Sequence, residues 1–167
     1  MKSPKRLIDG IDAVFRVMLA LLMASMVLCV TWQVISRYLL GDPSSWTEEL
    51  ARFLLVWIGL LGASYAYHAK MHLGVDIFTR RFSGNAALLH ARFVHAVVIL
   101  FAATVLVYGG LQLIGLTYEL RQYSPALGIP MAFVYCCLPL SGVMMIFYAV
   151  IALASGEPST PVVESTK

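Results

Sequence analysis

The run VMLALLMASMVLCVTWQVI, residues 17–35, holds no charged side chain, and none occurs between Arg16 and Arg37. A helix needs about 20 mainly apolar residues to cross a hydrocarbon core about 30 Å thick. This run meets that length. The basic flank of Lys2, Lys5 and Arg6 could open a secretion signal, but the apolar stretch is too long for a cleaved one and no A-x-A site follows it. It reads as a retained first span, about residues 15–36.

Working outward, three more spans follow. Phe53 to Tyr67 is uncharged but short, so its helix is predicted to begin near Trp46 or Thr47, with Ser44 or Ser45 as N-cap after Pro43. That gives a second span over about 47–68, with Glu48, Glu49 and Arg52 in its first turns at the membrane interface. No Asp, Glu, Lys or Arg lies between Arg92 and Glu119, which sets a third span at about 93–116. The fourth covers about 130–154. Pro130 suits a first helical turn, where its missing N–H costs nothing. Pro139 falls inside and should kink the helix, which neighbouring membrane helices can accommodate. The fold class is therefore an all-α membrane protein of four transmembrane helices. Residues 1–154 form one membrane domain, and 155–167, rich in Ser, Thr, Pro and Glu, are expected to be a disordered tail.

Composition agrees. Of 167 residues, 60% are hydrophobic and 13% charged, against about 45–50% and about 25% in soluble domains. A body this small cannot bury that excess, so lipid must cover it. The net charge is +3, but the charges cluster between long uncharged runs rather than on one basic face. A nucleic-acid partner is rejected on that pattern. Cys29, Cys136 and Cys137 all sit in apolar runs without a C-x-x-C pair, and read as small buried apolar residues.

Orientation follows from Lys and Arg in the short loops. Lys2, Lys5, Arg6, Arg16, Lys70, Arg80, Arg81, Arg92 and Lys167 lie on one side, and only Arg37, Arg52 and Arg121 on the other. Both termini are thus expected in the cytoplasm. In the middle loop Val75, Phe78 and Phe82 recur at helical spacing, with Arg80 and Arg81 turned elsewhere. This predicts a short amphipathic helix on the cytoplasmic interface.

Three constellations could carry function. Glu48 and Arg52 stand four apart, a spacing that pairs opposite charges on a helix, and Arg37 could reach the same carboxylates across the hairpin. This arrangement reads as a clamp between spans one and two, or as a docking patch for a periplasmic partner. No nucleophile or metal set accompanies it, so an acid–base site is not indicated. His68 and His72 are also four apart, with His90 and His95 on the same side. A haem or metal site is a rival reading, although a haem held in a bundle wants histidines on facing helices at matched depth. Gly59 with Ala63, and Gly62 with Ala66, offer small faces for close helix packing, and Gly109, Gly110 and Gly115 thin the third span similarly. No span carries a mid-depth acidic residue or a break suited to ion coordination, features usual in transporter cores. The chain reads as an accessory subunit.

Three stretches then resemble a known family. They are Arg37-Tyr38 followed by Trp46-Thr47-Glu48-Glu49-Leu50-Ala51-Arg52, Trp57 and Leu61-Gly62-Ala63; His72-Leu73-Gly74-Val75-Asp76; and Ser124-Pro125-Ala126-Leu127-Gly128-Ile129-Pro130 with Tyr135 and Leu138-Pro139-Leu140-Ser141-Gly142. Together, in this order, they resemble the small DctQ-type membrane subunit of tripartite ATP-independent periplasmic (TRAP) transporters. Lys70 stands where the family pattern often has Arg, and Ser141 where Gly is more usual. The resemblance implies no enzymatic activity and no cofactor on this chain. It implies instead a large membrane subunit carrying substrate and sodium sites, a periplasmic substrate-binding protein delivering an organic acid, and a scaffold role in the bacterial inner membrane. Interface or clamp roles would then fall to Arg37, Trp46, Glu48, Glu49, Arg52, Trp57, Gly59, Gly62, His72, Asp76, Pro130 and Pro139. A cytochrome subunit and a stand-alone small transporter remain the alternatives.

Overall fold

The computed structural model describes residues 3–69 and 85–155. The expected interfacial helix around Val75, Phe78 and Phe82, together with His72, Asp76 and the tail beyond Ser155, lies outside the described residues. The order is α1 (Ser3–Tyr38), α2 (Ser45–His68), α3 (Asn85–Phe101), a π-helical segment (Ala102–Gly109), α4 (Gly110–Glu119), α5 (Met131–Tyr135) and α6 (Cys137–Ser155). Among the described residues four stretches are long and apolar enough to cross a membrane: Gly10–Tyr38, Ser45–His68, Arg92–Glu119 and Met131–Leu153. Among the described residues the only strand-like pairing is an isolated bridge between Tyr123 and Pro130.

Local chemistry sets the ends of these helices. Gly41, in the left-handed region at φ +68, turns the chain after α1, a conformation glycine adopts without steric cost. Ser44 is the N-cap of α2 with extended backbone. Its side chain makes no cap bond; instead the Thr47 hydroxyl donates to the Ser44 carbonyl at 2.8 Å and sits 2.9 Å from the Ser44 hydroxyl. Pro130 is the N-cap of α5, with ψ 127, and not a residue of the first helical turn as expected. The bridge to Tyr123 holds it extended.

The third span is less regular than its sequence implies, and the fourth is interrupted as Pro139 predicts. Ala102–Gly109 runs as a π-helix within the third span, and the fourth is divided at Cys136. Pro139 explains the division. Its nitrogen cannot donate to the carbonyl four residues back and its ring crowds that turn, so the helix restarts at Cys137. At and beyond this break the third and fourth spans pack tightly. A Cβ at Gly110 would lie 2.9 Å from both Leu138 Cβ and Pro139 Cδ, and one at Gly142 only 2.8 Å from Leu106 Cβ.

Helix α6 is the centre of the bundle, packed against α2, α3 and the π-segment, while α1 lies against α2. Cys137, Ser141, Tyr148 and Ala149 of α6 are buried, with Leu61 and Ser64 of α2 and Ala102 of the π-segment. The Ser64 hydroxyl is placed between the Leu60 carbonyl at 3.0 Å and the Ser141 carbonyl of α6 at 2.9 Å. Such an interhelical bond stabilises a membrane bundle because lipid offers no competing partner. Along α1 the sides of Val14, Val17, Leu21 and Leu28 are exposed, as expected where lipid or another protein completes the surface.

Candidate functional site

Polar groups gather at the two ends of the bundle, and the two groups are built differently. At the hairpin end, the first turns of α2 lie against the loop from Leu120 to Pro130. The loop is compact: Ser124 N–H donates to the Ile129 carbonyl and Gly128 N–H to the Ser124 carbonyl, both at 2.9 Å, with Gly128 at φ +66. This folding leaves the N–H groups of Ala126 and Leu127 pointing the same way. Glu49 receives both through one oxygen, at 2.9 and 3.1 Å. Its residue is only 9% exposed. A buried carboxylate is costly unless it is hydrogen-bonded, and here successive backbone donors surround it as at a helix N-terminus.

The carboxylate that holds a distant segment is therefore Glu49, beside the Glu48–Arg52 pair expected as the clamp. The Arg52 guanidinium does donate to Glu48, at 3.2 Å, but both side chains are largely exposed, 71% and 52%, and both belong to α2. A pair of that kind contributes at most a few tenths of a kcal/mol. Arg37 and Glu48 line a shared notch of about 40 Å³ with Gln33, Pro43, Ser44 and Ser45. Among the described residues Arg37 forms no ion pair, so it does not bridge spans one and two. That bridge comes instead from the Cys29 thiol, which donates to the Thr47 carbonyl at 3.2 Å, with both residues buried. Trp46 is about half exposed and Trp57 half-buried.

At the opposite end, one carboxylate joins three spans. Asp12 of α1 accepts from the Tyr148 hydroxyl of α6 and bonds His68 Nε2 of α2, each at 2.8 Å. The His68 ring stacks on Tyr148 with centroids 4.1 Å apart and planes at 17°. Beside them the Tyr67 hydroxyl meets His95 Nδ1, which carries the third span into the same end. Neither Asp12 nor Tyr148 stood out in the sequence. The available signal was a phenol within an otherwise apolar run, since a buried tyrosine hydroxyl needs a partner. His68 Nε2 is thus engaged by Asp12, and His95 Nδ1 by Tyr67. Among the described residues no three His, Cys, Asp or Glu side chains converge as metal ligands.

Gly59 and Gly62 are not packing contacts of this bundle. Among the described residues a Cβ built at either would meet nothing within 4 Å. The close approach expected of them occurs at Gly110 and Gly142.

The bundle with these features matches the model for "Tripartite ATP-independent periplasmic transporters, DctQ component" over residues 26–157. The chain belongs to this family. Among its relatives, the sialic acid TRAP transporter small permease protein SiaQ of Vibrio cholerae is 29% identical over 152 residues, 88% of this chain and 82% of that one. The ectoine TRAP transporter small permease protein TeaB of Halomonas elongata is 28% identical, covering 96% of this chain and 84% of its own. The isethionate TRAP transporter permease protein DctMQ of Oleidesulfovibrio alaskensis is 32% identical over 71% of this chain but only 20% of its own length. This DctQ component is accordingly an inner-membrane transport protein and not an enzyme. Its matched region contains Glu49, the loop that Glu49 holds, and the glycine contacts of the third and fourth spans.

Proposed function

We propose that this DctQ component is the small scaffold subunit of a secondary transporter that takes up an organic acid. It assembles with a large membrane subunit and receives substrate from a periplasmic substrate-binding protein. The sodium gradient acts through the large subunit, and this chain carries no cofactor of its own. The observation that supports this reading best is the use of the chain's polar groups. Glu49 holds backbone N–H groups of the 120–130 loop, and Asp12 ties α1, α2 and α6. Polar chemistry here braces helices against one another, as a scaffold requires. The isethionate relative adds support, since its name is that of a permease and its matched region is one fifth of a longer chain.

Orientation belongs to the same proposal, with both termini cytoplasmic and the hairpin end in the periplasm. The domain reading also stands as a proposal, residues 1–154 in the membrane and a cytoplasmic tail behind them. Two measurements test it. Uptake by cells expressing the large subunit and the binding protein should be lost when this chain is deleted and return with the wild-type chain. Full-rate uptake without it would overturn the scaffold role. Separately, Asp42→Cys, at an exposed hairpin position, should react with an impermeant thiol reagent in intact cells, while Asn85→Cys should not. The reverse labelling would overturn the orientation.

A further inference from the structure

Tyr108, Gln112, Gly115 and Glu119 follow one another along the third span at intervals of four, three and four, the spacing that keeps side chains on one side of a helix. All four are exposed, Tyr108 to 65%. Gln112 Nε2 donates to the Tyr108 hydroxyl oxygen at 2.9 Å. Among the described residues that is the only hydrogen bond of the Gln112 side chain, which leaves its amide oxygen and second N–H without partners. Among the described residues a Cβ at Gly115 would meet nothing within 4 Å.

Depth makes this face informative. Gln112 stands seven residues from Glu119, about 10 Å at about 1.5 Å of rise per residue, and Tyr108 lies one turn deeper. Both fall inside the apolar stretch Arg92–Glu119. Acyl chains cannot hydrogen-bond, and an amide left unsatisfied in hydrocarbon costs several kcal/mol. Lipid is therefore a poor cover for this face. A second helix with a polar side chain would fit, because Gly115 allows close approach and such bonds hold membrane helices together.

We propose that the Tyr108–Gln112–Gly115–Glu119 face docks a transmembrane helix of the large subunit, one that presents a hydrogen-bonding side chain to Gln112 and a cationic one to Glu119. This rests on the functional reading above and names the surface involved. A large partner is favoured over a second copy of this chain by the isethionate relative, where the matched region is 20% of one longer chain. Small and larger portions there occur one to one.

The test uses the full complex in native membranes. A photoreactive benzophenone side chain is placed at Gln112, at Gly115 and, as control, at Leu28, an exposed residue of α1. Illumination should join this chain to the large subunit from positions 112 and 115, at least about tenfold more strongly than from 28. Gln112→Leu combined with Tyr108→Phe should lower the amount of large subunit retained by the tagged chain about three- to tenfold, with the melting of the chain alone unchanged. If wild-type chain retains the large subunit but adducts form only from position 28, the proposed face is wrong. An adduct of two copies of this chain from position 112 would overturn it in favour of self-association. If wild-type chain retains no large subunit at all, the functional reading falls, and this face with it.

Discussion

Two sets of glycines in this chain look alike in sequence and meet opposite fates. Among the described residues nothing lies within 4 Å of a Cβ at Gly59 or Gly62 on α2. Gly110 and Gly142 are where the third and fourth spans touch, and a Cβ at Gly142 would come within 3.2 Å of the Ala102 carbonyl oxygen as well as striking Leu106. A small residue permits close approach but does not call a neighbour to it. In lipid there is no hydrophobic drive between helices, so the contact forms where shape and hydrogen bonds already agree. On α2 that place is the side of Leu61 and Ser64, which is buried against α6, and not the side of Gly62.

The contrast can be broken by substitution. Gly142→Leu should have the largest effect, destabilising the bundle by about 1–3 kcal/mol, as overpacking does in a closed core. Unfolding in mixed detergent followed by helical circular dichroism would measure it, and an unchanged midpoint would mean that the two spans do not meet there. Tyr148→Phe, on the same helix, should cost about 1 kcal/mol, since Asp12 loses a buried hydrogen-bond donor. Repeating it in an Asp12→Ala background should remove most of that effect, and a fully additive result would show the pair uncoupled. Ser64→Ala should cost about 0.6 kcal/mol, the usual worth of an interhelical bond in a membrane protein. Gly62→Leu should fall within about 0.5 kcal/mol of zero for the chain alone. A large loss at Gly62, in the absence of any partner, would erase the distinction between the two glycine sets.

The hairpin end shows the same division between pattern and placement. Glu48, Glu49 and Arg52 were legible together as the charged start of a span, and the spacing rule correctly paired Glu48 with Arg52. Spacing could not show that this pair is exposed and that the adjacent Glu49 reaches a loop 77 residues away. The intervening rise of the third span and the turn at Gly128 bring Ala126 to it, and neither is written near Glu49. Likewise His68 could be read as the end of a helix, but its partner Asp12 lies 56 residues earlier.

By itself, the sequence determined the membrane class, the four spans, the start of the second helix to within a residue or two and the family. Each of these depends on properties local to a segment: apolar length, a capping residue, a motif in order. The tertiary structure alone decided which glycines are packed, that Glu49 grips the 120–130 loop, that Asp12 unites three helices, and that the break in the fourth span lies against the third. These are contacts between residues far apart in the chain. Their energies depend on interatomic distance and on excluded competitors, which periodicity does not encode, so only the assembled bundle could assign them.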